Sequence, residues 1–175
     1  NRAKLIPDRE LTYWEEEAAY YTEAFKENPS YADDLMDFHL LGVSLTGPAN
    51  DGGVRMMVGT DLGDTLVYPG SSFHEEMELM VRGGMSEADL LRAATLNAAE
   101  YKGIQDEHGL IDDGYLANIT LLKNNPLENI KHTTAIAGVV HRGVYRNEEE
   151  LAALVTRSEQ MTAELNAKRR TRTDE

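Results

Sequence analysis

Apolar residues at helical spacing predict two helices within the first fifty positions. Thr12 and Glu15 form a capping-box pattern at the start of the run TYWEEEAAYYTEAFKEN, and Pro29 is expected to end that helix. Gly42 is expected to close the second helix, whose apolar residues lie three or four positions apart at Tyr31, Leu35, Phe38 and Leu41. The stretch TGPANDGG, residues 46–53, has the composition of a loop.

The middle of the chain changes from a short apolar run to two further helical patterns. Val54–Val58 (VRMMV) reads as a largely buried strand of the kind found in parallel sheets. Steps of four then predict a helix that Gly83 and Gly84 close, with Phe73, Met77 and Val81 on one side. Ser86 and Asp89 resemble the next N-terminal cap, and Thr95 is expected to divide the helical stretch up to Gly103 into a kinked pair by acting as a second cap.

The last third of the chain has a β-rich pattern followed by one long helix. Ile119–Leu122 predicts a strand, and TAIAGVVHRGVYRN predicts two strands joined at residues 141–143. Asn147 is expected to cap a final helix that carries an apolar stripe of Leu151, Leu154, Val155 and Leu165. Because one buried strand between helices cannot form a parallel sheet, we expect the remaining strands to be missing from this chain or supplied elsewhere.

Composition and charge indicate an ordinary globular domain and exclude some kinds of partner. The 175 residues fit one domain, and 41% apolar with 27% charged residues is ordinary for a globular protein. A formal charge of −14 argues against nucleic acid and anionic membranes as partners. The absence of cysteine excludes disulfides and zinc–thiolate sites. The compartment stays open: we favour the cytoplasm, with an exported or periplasmic location as the alternative, since a chain that begins at Asn1 leaves a removed leader open.

Asp61 is the strongest candidate for chemistry because it directly follows the predicted strand. A carboxylate at the end of a strand suits a metal ligand or a general base, and Gly59 and Gly63 beside it allow unusual backbone dihedrals. The alternative interpretation is an aspartate whose side chain caps the turn. His74 is a second candidate, as a substrate contact, against the alternative of a partly exposed helix histidine.

Other polar residues carry weaker signals. The acids near His74 are expected to form a solvated helix face, which comprises Glu75, Glu76 and Glu78. Asp64 is expected to be an exposed loop acid, with a place at the site as the alternative. The sequence has no H-x-H, H-E-x-x-H, G-x-S-x-G, P-loop or G-x-G-x-x-G motif, so it encodes no complete metal or nucleotide site.

Several motifs in order resemble the C-terminal part of metal-dependent amidohydrolases, nearest to imidazolonepropionase-like and Xaa-Pro or Xaa-Arg dipeptidase-like members. They are GTD after the apolar run, then FHEEMELMVRGGMS, AATLNAAEYKG, GLIDDGYLANITLL, NPLENI and VVHRGVY, between about Val54 and Tyr145. Asn118 stands where these enzymes usually have aspartate. The H-x-H and the other metal ligands of the family have no counterpart in this chain, and would lie before Asn1.

The resemblance implies an α/β fold: the C-terminal portion of a (β/α)8 TIM barrel, part of a small β-sandwich subdomain, and a C-terminal amphipathic helix with a tail. The implied division is 1–103, 104–146 and 147–175. The complete enzyme is expected to bind one or two divalent metal ions, zinc being the first choice, with Asp61 as metal ligand and proton shuttle. His74 is expected to contact the substrate.

The leading hypothesis is therefore part of an enzyme that hydrolyses C–N bonds in a dipeptide, amide or cyclic amide, with this chain inactive alone. The alternative is a non-catalytic fold remnant, or one half of a split enzyme, that acts as a binding or assembly module. Expected partners are a small-molecule or dipeptide substrate and the rest of the barrel in the same or another chain. We also expect a homo-oligomer.

Overall fold

Six helices and one three-stranded sheet follow one another along a computed structural model that describes residues 2–173. The helices are α1 (Asp8–Glu27), α2 (Ser30–Asp51), α3 (Ser71–Arg82), α4 (Glu87–Ala94), α5 (Leu96–Lys102) and α6 (Glu148–Thr173). The strands are β1 (Ile119–Leu122), β2 (Ile136–His141) and β3 (Val144–Asn147), and short 3₁₀ helices span Arg2–Leu5 and Ile130–Thr134. Residues 174 and 175 of the predicted tail lie outside the described part.

The first two helices differ from the predicted ones in their boundaries. α1 begins at Asp8, directly after Pro7, so Thr12 lies inside the helix and its hydroxyl donates to the carbonyl of Asp8 at 3.0 Å. The capping-box prediction is therefore wrong, because the helix has already begun one turn before Thr12. The helix does end before Pro29, as predicted.

α2 runs through Gly42 and through most of the predicted loop, and ends at Asp51. Gly47 explains the difference. Its backbone N–H donates to the carbonyl of Gly83 at 2.9 Å, and a Cβ at Gly47 would stand 2.6 Å from that oxygen. The helix continues because Gly47 lets it pack backbone to backbone on the turn after α3.

Residues 54–60 are extended but do not form the predicted strand. Strand hydrogen bonds require a neighbouring strand, and the sheet of the described residues contains only β1, β2 and β3. Burial nevertheless alternates from Arg55 onward: Met56 and Val58 pack against the core, whereas Arg55, Met57 and Gly59 are exposed. The segment thus has the two faces of a strand, with one of them covered by helices.

The main core joins the middle helices to the segment before the sheet. It consists of Met77, Met80, Met85, Leu90, Ala93 and Ile130. Ile130 belongs to the 3₁₀ helix that precedes β2, so this residue attaches the sheet to α3 and α4.

As predicted, Ser86 caps α4 by accepting from the N–H of Asp89 at 3.1 Å, and a break at Thr95 separates α4 from α5. Thr95 occupies the N-cap position of α5, as predicted, but its side chain makes no capping hydrogen bond, because its hydroxyl donates to the carbonyl of Leu91.

The sheet is antiparallel throughout, in the order β1–β2–β3. β1 pairs with β2 through Ile119 and Val140, and β2 returns into β3 at a tight turn in which Arg142 and Gly143 both have positive φ, 50° and 78°. Two central residues with positive φ match the right-handed twist of a hairpin. The hairpin prediction is therefore confirmed.

α6 leaves the hairpin directly and returns to the start of the chain. Asn147 and Glu150 form a reciprocal cap, with N–H to side-chain oxygen distances of 2.9 and 3.0 Å, which confirms the predicted start. Asn166 and Arg170 bind Asp8 at the first turn of α1.

Among the described residues, no helix has the length and apolar character needed to cross a membrane. The predicted division at residues 103 and 146 stays a prediction.

Candidate active site

The extended segment before Asp61 is held to two helices by polar contacts. The side-chain amide of Asn97, itself 8% exposed, donates to the carbonyl of Met56 at 2.8 Å. The N–H of Gly59 donates to Glu76 Oε1 at 3.2 Å. Because a buried amide and a half-buried carboxylate fix this segment along its length, the backbone that leads into Asp61 has a defined path.

Asp61 itself lies at an exposed turn with its carboxylate unpaired. Its φ is 52°, in the left-handed region that aspartate tolerates better than most residues. The turn is closed by the carbonyl of Asp61, which accepts from the N–H of Asp64 at 3.1 Å, and by the carboxylate of Asp64, which accepts from Thr65 N–H at 2.7 Å. Within residues 2–173 the Asp61 carboxylate has no hydrogen bond or ion pair, so Asp64, not Asp61, caps the turn.

The neighbouring glycines divide between two roles. Gly63 adopts a φ of 124°, which fits the predicted need for unusual dihedrals beside Asp61. Gly59 contributes instead through its N–H bond to Glu76. Asp64 is exposed, as predicted.

His74 lies one turn into α3, half-buried against the segment before β2. Its Nδ1 is 2.9 Å from the hydroxyl oxygen of Thr133, and that hydroxyl donates its own proton to the carbonyl of Ile130 at 2.7 Å. The oxygen of Thr133 can therefore only accept from His74, which places the proton of the neutral imidazole on Nδ1 and leaves Nε2 as an acceptor. Burial lowers the pKa of His74, and the carboxylate of Glu78 partly opposes that shift.

A largely apolar cleft of about 950 Å³ opens beside His74, between helices α3 to α5 and strand β1. Its walls include Phe73, Met77, Leu91, Ile119 and Thr133. Asp61 does not line this cleft. The structure thus places the two predicted site residues in separate surroundings, one on an exposed turn and one at a cleft.

The acids that follow His74 are not a uniform solvated face. Glu75 is exposed and pairs with Arg2, and Glu78 lies 3.5 Å from Lys131. Glu76 contradicts the prediction: it is half-buried, binds Gly59, and its Oε2 atom is buried without a hydrogen-bond partner. The physical reason is its position on the side of α3 that faces the extended segment.

The sequence patterns did not predict two residues that position the site, and only one of them could have been recognised from the sequence. Asn97 follows Leu90 and Ala93 at steps of three and four, so it is a polar residue on an apolar helix face, a pattern that points to a buried hydrogen bond. Thr133 carried no such signal, because its partner His74 is 59 positions away.

The described residues do not by themselves form a metal site. Nowhere in the described part do three or more histidine, aspartate or glutamate side chains come together in a way that could hold an ion. A structural zinc site takes four ligands, and a catalytic one takes three plus water. The exposed, unpaired carboxylate of Asp61 suits one ligand of such a set, and no step through a metal follows from this geometry.

Comparisons with known proteins identify the same stretch of chain. The profile described as Amidohydrolase family matches residues 46–145, more than half of the sequence. An ochratoxinase from Aspergillus niger is 34% identical over 118 residues, which cover 66% of this chain and 23% of that protein. This chain thus spans about a quarter of the length of the curated relatives that it matches.

Solved structures agree with this match. A Xaa-Pro dipeptidase superposes with a TM-score of 0.54 at 28% identity, over 60% of this chain and 25% of its own. A bottromycin amidohydrolase superposes with a TM-score of 0.70 over 91% of this chain and 34% of its own, and at 24% identity this likeness concerns the fold alone. The matched region contains the extended segment, Asp61, His74, strands β1 and β2, and the start of β3. The chain belongs to the amidohydrolase family.

Proposed function

We propose that this chain is part of an enzyme that hydrolyses a C–N bond of the amide type. The observation that carries the proposal is the family match over residues 46–145, within which an anchored extended segment ends at an unpaired carboxylate. The name of one relative, a Xaa-Pro dipeptidase, supports hydrolysis of a peptide bond. A dipeptide or a small amide is the substrate class that we assign.

Asp61 is the residue to which we assign the proton transfers. Water adds to the carbonyl carbon, and the carboxylate of Asp61 takes the proton that the water loses. The C–N bond then breaks, and the same proton passes to the nitrogen of the leaving amine. A carboxylate on an exposed turn, unpaired within residues 2–173, can both accept and release that proton.

A divalent metal, zinc as first choice, belongs to the complete enzyme in this proposal. When bound, it would lower the pKa of its water and polarise the carbonyl oxygen. Asp61 is the one ligand that this chain would supply, since the described residues offer no set of three. The TIM-barrel architecture and the remaining ligands are likewise assigned to the complete enzyme.

His74 is assigned a binding role rather than a chemical one. Thr133 holds its Nδ1–H, so Nε2 is available to accept a hydrogen bond from a substrate N–H or hydroxyl group at the cleft. Because the cleft is mostly apolar, the matching part of the substrate would be an apolar side chain or ring.

The exposed surface supports association with further protein, the remainder of the barrel in the same or another chain. The accessible surface is 12353 Å² for a mass of 19.5 kDa, whereas a folded monomer of that mass exposes about 8,500 Å². The surplus of about 3,800 Å² is in the range that obligate interfaces bury. The same observation would suit a non-catalytic assembly module, so activity must decide between the two.

The test compares this chain with the complete product of its gene. We expect the complete product to release free amine from a panel of Xaa-Pro and N-acyl dipeptides in the presence of zinc. The chain alone should show neither turnover nor a stoichiometric zinc content by elemental analysis. A complete product that hydrolyses no amide would favour the non-catalytic alternative, and turnover by the zinc-loaded chain alone would contradict its proposed incompleteness.

A further inference from the structure

The long C-terminal helix α6 presents an apolar stripe that the described residues leave uncovered. The predicted stripe exists along the sequence. Leu151 is half-buried, but its other three members are exposed, Leu154 by 46%, Val155 by 50% and Leu165 by 41%, and Met161 adds 60%. A stripe of this length on a single-chain helix normally packs against a core. Here it faces solvent, so it needs a different explanation.

The contacts of α6 with the start of the chain lie on a neighbouring side of the helix. Asn166 and Arg170 bind Asp8, and Glu159 lies 4.0 Å from Lys4. Successive residues turn by about 100°, so Asn166 points well away from Leu165. The contact with the start of the chain therefore holds α6 in place without covering the stripe.

The stripe has the spacing of a coiled-coil seam. Steps of three and four alternate through five successive seam positions, Leu151, Leu154, Ser158, Met161 and Leu165. Ser158 at the centre is small, and its hydroxyl donates to the carbonyl of Leu154 at 3.0 Å, so it leaves no unpaired donor in a seam. This spacing fits a partner helix rather than a flat surface.

The charges beside the seam specify the partner and its direction. On the flank away from the intramolecular contacts, the order is Glu150, Arg157, Glu164 and Lys168. Among the described residues, Arg157 and Glu164 take part in no ion pair or hydrogen bond. Reading this order backwards exchanges every sign, so an antiparallel copy of the same helix sets Arg157 against Glu164 and brings Lys168 near Glu150.

We propose that α6 pairs antiparallel with α6 of a second copy of this chain. Ser158 then lies opposite Met161 of the second copy and Arg157 opposite its Glu164, while its Lys168 lies opposite Leu151, one position from Glu150. A parallel pair would instead set Arg157 beside Thr162, an uncharged residue, and would lose this complementarity. Since the seam spans about two heptads, the dimer is reversible.

Charge reversal tests the pairing directly. In sedimentation equilibrium, Arg157→Glu alone and Glu164→Arg alone each place two like-charged pairs across the two-fold axis. We expect the dissociation constant to rise about five- to tenfold in each. The double variant restores both pairs and should return to the wild-type constant at low salt. Both positions are exposed, so circular dichroism should show unchanged helix content.

Engineered cysteines test whether the two helices run antiparallel. Because the wild-type chain contains no cysteine, any disulfide that forms must join the engineered residues. A mixture of Leu151→Cys and Lys168→Cys chains should form a mixed disulfide, while Leu151→Cys alone should stay reduced. Three results would overturn the proposal: a monomer at every concentration, single charge variants that dimerise like the wild type, or a Leu151→Cys homodisulfide. The first would assign the stripe to another part of the complete protein, and the last would indicate a parallel pair.

Discussion

Thr133 decides what His74 can do, because it fixes the proton on one nitrogen of the ring. The hydroxyl of Thr133 donates its single proton to the carbonyl of Ile130 and accepts a hydrogen bond from Nδ1 of His74. The neutral imidazole is thus held in one tautomer, and burial favours that neutral form by lowering the pKa of His74. A histidine kept neutral is a hydrogen-bond acceptor rather than a cation, which suits contact with an uncharged amide.

The same lowered pKa predicts a pH dependence of stability. Since folded His74 has a pKa below its unfolded value of 6.5, the unfolded chain binds more protons in the window between the two values. The free energy of unfolding should therefore fall as the pH drops from above 6.5 through the folded pKa, and level off below it. In urea unfolding at about pH 8 and about pH 5.5, His74→Gln should lose less stability than the wild type. Equal losses in both proteins would contradict the assigned burial of His74.

At the residue scale, the sequence predicted the candidates but not their supports. Asp61 was found because a carboxylate after an apolar run is a local pattern, and the structure leaves that carboxylate unpaired within the described residues. Its roles as ligand and proton carrier remain predictions, as does the substrate contact of His74. The hydrogen bonds from Asn97 to Met56 and from His74 to Thr133 join positions 41 and 59 apart, and such pairings appear only when the chain is folded.

At the level of elements, α2 shows how a close contact overrides local preference. Gly42 and the sequence TGP argue against a helix, yet the helix continues to Asp51. The two glycines have different surroundings. A Cβ at Gly42 would meet nothing within 4 Å, whereas a Cβ at Gly47 would stand 2.6 Å from the carbonyl of Gly83 and 2.8 Å from Gly84.

This contrast gives a matched pair of variants in one helix. Gly42→Ala should stabilise the fold by about 0.5–1 kcal/mol, because alanine loses less backbone entropy in an exposed helix. Gly47→Ala should destabilise it by about 1–3 kcal/mol, because the two backbones must separate. Thermal and urea unfolding of both variants measure the difference. A stabilising Gly47→Ala would show that α2 does not rest on the turn at Gly83.

Most elements whose signals are local were predicted correctly, the capping box at Thr12 and the helix end at Gly42 excepted, whereas the strand that needs a partner was not. The hairpin, the caps at Ser86 and Asn147 and the break at Thr95 depend on neighbouring residues, and all are present. The run Val54–Val58 has the composition of a strand but finds no strand to pair with among residues 2–173, so helices alone hold it.

At the scale of the whole molecule, the chain belongs to the amidohydrolase family but spans about a quarter of the ochratoxinases that it matches. Composition alone gave no sign of this. Among the described residues, large apolar side chains such as Phe38 and Ile111 are exposed by 75% and 80%. The surface on α6 stands apart from the rest, because its charge order specifies a second copy of the same helix.

The most direct test of amide hydrolysis through Asp61 is the turnover number of the complete gene product with and without its carboxylate. Asp61→Asn keeps the size of the side chain and removes its ability to take a proton, and Asp64→Asn makes the same change three residues away on the same turn. We expect kcat for a hydrolysed dipeptide to fall by about 10³-fold or more in the first variant and by less than about tenfold in the second. Comparable turnover in Asp61→Asn and the wild type would contradict the proposed role of Asp61.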